Sequence, residues 1–229
     1  MDTDLLYALA AFAFVSSITP GPNNMMLMAS GANFGLRRTL PHMAGVALGF
    51  VAMVVLVGAG LIGLFDLWPT SYTVLKVVSV GYLLYLAWKI ATAAAPKGDG
   101  QAGGRPFTFL QAALFQWVNP KAWTMALTAI TVYAPARDLG GIILVAAIFG
   151  AVNLPSVGSW AYLGTQLRRF LGSAGRLRTF NITMALLLVA SLYPVLWPYA
   201  PCARPLAPDN RQASCRVRRR RFRAGRQAR

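Results

Sequence analysis

The sequence predicts an all-α integral membrane protein: six transmembrane helices arranged as two inverted three-helix repeats, with helices 1 and 4 broken. Three observations predict it. Of 229 residues 56% are hydrophobic and only 12% charged, and the mean hydropathy of +0.52 exceeds what a water-facing surface tolerates. The charges sit far apart, so that Asp4 to Arg37, Arg38 to Asp66, Asp138 to Arg168 and Arg178 to Arg204 each bracket a long uncharged stretch. Each is long enough for a bilayer, which needs roughly 20 apolar residues. A Gly-rich connection, Ala95 to Pro106, separates two halves of three spans, and because three is odd the second half must enter the membrane in the opposite sense.

Read in order for apolar length and breaks, the spans fall at about 5–32, 41–65, 69–94, 107–132, 139–163 and 177–198. The first is expected to remain as a membrane helix rather than a cleaved leader. Asp2 and Asp4 precede it where a positive region belongs, and no short apolar core ends in a clear cleavage site. The second starts at Pro41 and His42 and carries Gly45 and Gly49, a small-residue pair that suits close approach to a neighbouring helix. The third holds Lys76 in its first half, within snorkelling reach of the outer face. The fourth holds Lys121 near its middle when counted from Pro106 to Pro135. The fifth contains a polar break at Asn153-Leu154-Pro155, and the sixth runs into the tail. Trp68, Trp88, Trp117, Trp160 and Trp197 are spread over these regions as packing or interface anchors. The organisation is therefore a first repeat at 1–94, a linker at 95–106, a second repeat at 107–198 and a tail at 199–229.

Orientation follows from Lys and Arg. Arg37 and Arg38 lie in the first connection, Lys89, Lys97 and Arg105 around the third, and Arg168, Arg169, Arg176 and Arg178 in the fifth. The alternate connections hold Asp66 and the Arg137-Asp138 pair. The positive-inside rule puts the first, third and fifth connections in the cytoplasm and the N-terminus outside.

The acidic inventory excludes several chemistries. There are six Asp and no Glu, each Asp near the end of an apolar stretch or beyond it, so no buried carboxylate pair is available for acid and base work. One His (His42) and two Cys (Cys202, Cys215), both in the tail, leave no conventional zinc set in the apolar body. No metal and no cofactor is expected, and a membrane enzyme is the weakest reading. A channel would show a carbonyl filter or charged rings, which are not visible.

The chemistry lies in the breaks. Thr19-Pro20-Gly21-Pro22-Asn23-Asn24 interrupts span one about half-way along. Two prolines remove two backbone donors, and two Asn side chains bring polar groups to membrane depth. Freed backbone groups are tolerated there where protein or a water-filled cavity satisfies them. The alternative is a kinked helix whose Asn residues bond a neighbour. Asn119-Pro120-Lys121 interrupts span four at a corresponding place, and paired breaks in opposed halves point to a midplane binding site. Half-helix ends offer amides to a carboxylate and carbonyls to a cation, as a zwitterion requires. Lys121 at the midplane is costly unless paired; otherwise span four starts later and Lys121 snorkels. Asn153 is a further candidate for the cavity. His42, at the cytoplasmic start of span two, could carry a proton or be structural.

Residues 204–229 hold ten Arg and one Asp, more than half of the net charge of +16. This tail could bind anionic lipid or nucleic acid, although an exit outside the cytoplasm argues against nucleic acid. It could equally reflect translation of a GC-rich gene in an unintended frame.

Thr19 to Asn24, Gly35-Leu36-Arg37-Arg38, Gly45 with Gly49-Phe50, Tyr82 to Lys89 and Asn119-Pro120-Lys121 together resemble the lysine exporter (LysE/RhtB) family of amino-acid efflux proteins, over about residues 5–198. The resemblance implies a six-helix exporter of the bacterial cytoplasmic membrane that moves amino acids outward, driven by the proton gradient. Many members carry Asp where this chain has Asn23, which removes a cation or proton ligand. The TPGPNN form, Leu86 to Thr92 and Ala185 to Val189 look most like the branch exporting cysteine and O-acetylserine, which favours small neutral substrates over lysine or arginine. The residues expected to bind substrate are Thr19 to Asn24, Asn119, Pro120, Lys121 and Asn153, with Lys121, Lys76 and His42 as coupling candidates, since no intramembrane carboxylate is present. The bilayer and an amino acid are the expected partners, and a homodimer would enlarge the little volume that six short spans enclose. A membrane assembly subunit is the competing reading; it would tolerate plain Leu/Ala helix in place of both breaks.

Overall fold

The computed structural model describes residues 2–61, 67–68, 70–93, 105–134, 136 and 138–193. Most of the linker, the ends of spans two and six, and the whole tail with Cys202 and Cys215 lie outside them. Among the described residues there are eight α-helices and no strand: α1 (Thr3–Ile18), α2 (Pro22–Phe34), α3 (Leu36–Gly58), α4 (Thr70–Ala91), α5 (Phe109–Phe115), α6 (Pro120–Tyr133), α7 (Leu139–Leu167) and α8 (Ala174–Ala190). A single 3-10 turn, Gln116–Val118, joins α5 towards α6.

Helix starts follow from local chemistry. Thr108 and Gln111 form a reciprocal capping box at α5, while the side chains of Asp138 and Ser173 accept from the amides of Gly141 and Arg176 at the starts of α7 and α8. Pro22 and Pro120 occupy the first positions of α2 and α6, where a missing N–H costs no helical bond.

Leu36–Gly58, Thr73–Ala91 and Leu139–Leu167 are long and apolar enough to cross a membrane, and α1 with α2 makes a fourth such span, bent by 54°. Span four is split by its break into Phe109–Val118 and the 14 residues of α6, each too short to cross alone.

Glycines set the closest helix approaches. A Cβ at Gly31 would run into the Ala161 carbonyl, and one at Gly164 into the Met28 carbonyl, so α2 and α7 touch backbone to backbone. Gly45 and Gly49 meet Phe109, Ala112 and Ala113, which identifies α5 as the neighbour that this pair was expected to admit. The main core joins Leu9 and Ala13 of α1 to Phe50 and Met53 of α3, Ala126 and Ile130 of α6, and Val145 and Phe149 of α7. A second cluster holds Leu83 and Leu86 of α4 against Leu188 of α8 and Met26 of α2. Large apolar side chains such as Phe14, Leu48, Val77 and Leu186 remain exposed, as lipid-facing positions do.

One expected break and one expected helix start are corrected. α7 continues through Asn153-Leu154-Pro155, and α3 begins at Leu36 and runs through Pro41. One proline removes one donor and a neighbouring turn absorbs that loss, whereas Pro20-Gly21-Pro22 removes two within three residues. His42 consequently lies within α3 rather than at its start: it is fully buried, neither ring nitrogen has a partner, and its ring lies 5.2 Å from that of Phe107.

Candidate functional site

α1 ends at Ile18 because Pro20 and Pro22 cannot donate to its last carbonyls. Side chains take over that task. Thr19 Oγ1 donates to the Ser16 carbonyl at 3.1 Å, and Asn24 Nδ2 reaches back to those of Ser17 and Thr19, both at 2.8 Å. Trp160 Nε1, from α7, donates to the Ile18 carbonyl at 3.0 Å. Lys121 Nζ, from α6, donates to the Thr19 carbonyl at 2.7 Å and to Thr19 Oγ1 at 3.0 Å, with a long contact to the Pro20 carbonyl at 3.5 Å. The broken end of α1 is thus closed by groups from three other helices.

The placement of Lys121 follows from helix electrostatics. As the second residue of α6 it sits at a positive helix end, which disfavours a cation, but its ammonium reaches the negative C-terminal end of α1. The side chain passes over Gly21, where an added Cβ would stand 2.7 Å from Lys121 Cδ. Gly21 therefore leaves room for the crossing.

The second break is built around Asn119, in extended conformation, whose Oδ1 accepts from the Lys121 amide at 3.2 Å. Gln116, in the 3-10 turn, exchanges hydrogen bonds with Asn23: Asn23 Nδ2 donates at 2.8 Å and Gln116 Nε2 returns one at 3.2 Å. The two breaks are therefore tied by one cation and one amide pair.

Between them lies a cavity lined by Ser16, Ser17, Gly21, Asn23, Asn24 and Phe50, and by Asn119, Lys121, Ala122, Met125, Asn153 and Val157. Its interior has about 20 Å³ of free space, enough for one water and too little for an amino acid. A wider cavity of about 280 Å³ opens beside α2 and α4, with Ser30, Asn33, Lys89, Arg105 and Phe107 on its wall. Among the described residues no Asp or Glu lines either one.

Of the residues expected from sequence, Gly21, Asn23, Asn24, Asn119, Lys121 and Asn153 converge on the small cavity. Thr19 and Pro20 join through Lys121, and Pro22 and Pro120 start the helices on either side. Lys76 is exposed on α4, and both it and His42 lie away from the lining. Sequence reading overlooked Gln116, Ser17 and Trp160. Gln116 was detectable as a polar residue in an apolar run three places before Asn119, whereas a lone helical Ser or Trp gives no such signal.

The family model for LysE type translocators matches residues 14–190. The cysteine/O-acetylserine efflux protein of Salmonella typhimurium (strain LT2) is 30% identical over 187 residues, 81% of this chain and 94% of the relative. That of Escherichia coli (strain K12) is 29% identical over 191 residues, 82% of this chain and 96% of the relative. No solved structure matches the chain. The match spans both breaks, bears out the resemblance read from TPGPNN and NPK, and shows that this chain belongs to the LysE type translocator family.

Proposed function

We propose that the chain exports amino acids across the bacterial cytoplasmic membrane by alternating access, with six spans in two inverted three-helix repeats and the N-terminus outside. It acts as a transporter rather than an enzyme. The observation that carries this reading is the bond from Lys121 to the carbonyl end of α1, which links the two breaks across a closed cavity.

Lys121 holds the place that suits a substrate's α-ammonium, because the C-terminal carbonyls of α1 attract a cation. An entering amino acid sets its ammonium on the Thr19 and Pro20 carbonyls and frees the Lys121 ammonium to meet the substrate carboxylate. The starts of α2 and α6 add further favourable dipole for that carboxylate. Release of Asn23 from Gln116 lets the breaks separate. The wider cavity, with Lys89 and Arg105 on the side expected to be cytoplasmic, draws in the carboxylate.

A cavity with a fixed cation and, among the described residues, no acidic lining favours neutral side chains over lysine or arginine. The relatives named for cysteine and O-acetylserine efflux support the same preference. Proton coupling runs through a change in protonation at the tether, since no carboxylate among the described residues lines the cavity.

Efflux of preloaded labelled amino acids, covering cysteine, O-acetylserine, threonine, leucine, lysine and arginine, tests the proposal in cells producing the full chain or residues 1–198. Export of a small neutral amino acid is expected, collapsed by an uncoupler and abolished by Lys121→Met with the variant still inserted. Unchanged export from Lys121→Met would remove the tether from the mechanism.

A further inference from the structure

The buried hydroxyls of the described helices are served almost without exception. Thr39, Ser79 and Ser156 each donate to the carbonyl four residues earlier, at 2.9, 2.6 and 2.8 Å, and Ser30 pairs with Thr39 at 3.0 Å. Ser17 is the exception: it is 5% exposed and its Oγ has no partner. Buried Asn residues repeat the pattern. Asn24 bonds two carbonyls, Asn33 and Asn181 bond each other, and Asn119 caps α6, yet the Asn153 amide, also 5% exposed, makes no hydrogen bond among the described residues. Both idle groups line the same cavity, Ser17 from α1 and Asn153 from α7.

A fully buried, unpaired hydroxyl at membrane depth is costly, and a native protein keeps such a group, with an idle amide lining the same cavity, where something binds them. A helical Ser can satisfy itself on the preceding turn at no cost in packing, so a free Ser17 is available to a guest. Asn24 stands beside them with its Nδ2 committed to two carbonyls, which leaves its oxygen as an acceptor. Phe50, Met125 and Val157 close the remaining walls and limit the length of what can enter.

We infer that Ser17 and Asn153 form the specificity pole of the central site and receive the polar end of a short substrate side chain: a hydroxyl, a thiol or an ester carbonyl. This rests on the exporter reading, in which Lys121 and the helix ends take the ammonium and carboxylate. Ser17 and Asn153 both donate and accept, so either a hydroxyl or an ester oxygen pairs with them. A methyl group in the same place would leave both unpaired, and a site built on hydrogen bonds rejects such an analogue strongly.

The test uses the full chain reconstituted in proteoliposomes and compares release of entrapped labelled serine and alanine, which differ by one hydroxyl. Wild type is expected to prefer serine, and Ser17→Ala and Asn153→Leu are expected to lower that preference by about tenfold or more, serine release falling further than alanine release. The amount of inserted protein is measured for both variants, so a folding loss in one leaves the other as the test. Equal loss of serine and alanine release in the well-inserted variants would assign both residues a structural role and overturn the inference. An unaltered preference, or none in wild type, would overturn it as well. Release of no amino acid by wild type would sink the exporter reading itself, and the inference with it.

Discussion

Lys121 illustrates how a single residue reads differently from sequence and from structure. A lysine inside an apolar run is visible at once, because it is costly there unless paired. Its partner was not visible: the Thr19 carbonyl is an acceptor of the backbone, which carries no sequence signature of its own. The Asn33 and Asn181 pair makes the same point at the other end of α2, where two buried amides exchange bonds at 2.9 and 3.2 Å and Asn181 also donates to the Ala93 carbonyl. Asn33→Leu should destabilise the protein by about 1–2 kcal/mol, because Asn181 is left without its partner in an apolar setting. Asn33→Leu with Asn181→Leu should recover part of that loss. Thermal unfolding of the purified protein in detergent measures both, and a double variant worse than the sum of the singles would contradict the pairing.

At the scale of the element, glycine decides which helices travel together. Gly31 and Gly164 let α2 and α7 meet backbone to backbone, and the atoms facing them are carbonyls that cannot swing away as a side chain could. Gly164→Ala should therefore force the pair apart, at about 3 kcal/mol or more, and lower the yield of monodisperse protein by size-exclusion chromatography. Gly81→Ala, on α4 where an added Cβ meets nothing within 4 Å, should leave the elution profile unchanged. Equal behaviour of the two variants would remove the close approach from the account. Element breaks were legible where two prolines stood together, at Pro20 and Pro22, and where Asn and Pro preceded Lys121. A break was misread at Pro155 and a helix start at Pro41, because a lone proline marks a lost bond without saying whether its helix continues.

Over the whole molecule, charge sets the expected orientation and packing sets the site. If the basic connections face the cytoplasm, a cysteine placed at Asp2 or Ala136 should react with an impermeant maleimide in intact cells, after Cys202 and Cys215 are replaced by Ser. One placed at Arg38 or Arg169 should react only after permeabilisation, and the reverse pattern would overturn the assigned orientation. The sequence by itself determined that the chain is helical and apolar, where its two deepest breaks fall, and which Asn and Lys residues belong to them. Those features follow from local rules: proline has no N–H, a charge is costly in hydrocarbon, and an apolar run of given length must cross or be buried. The tertiary structure alone decided that Lys121 closes the end of α1, that Gln116 pairs with Asn23, and that Ser17 and Asn153 face one cavity from different helices. Such pairings join residues about a hundred positions apart, and only the packing of α1, α2, α6 and α7 brings their donors and acceptors within reach.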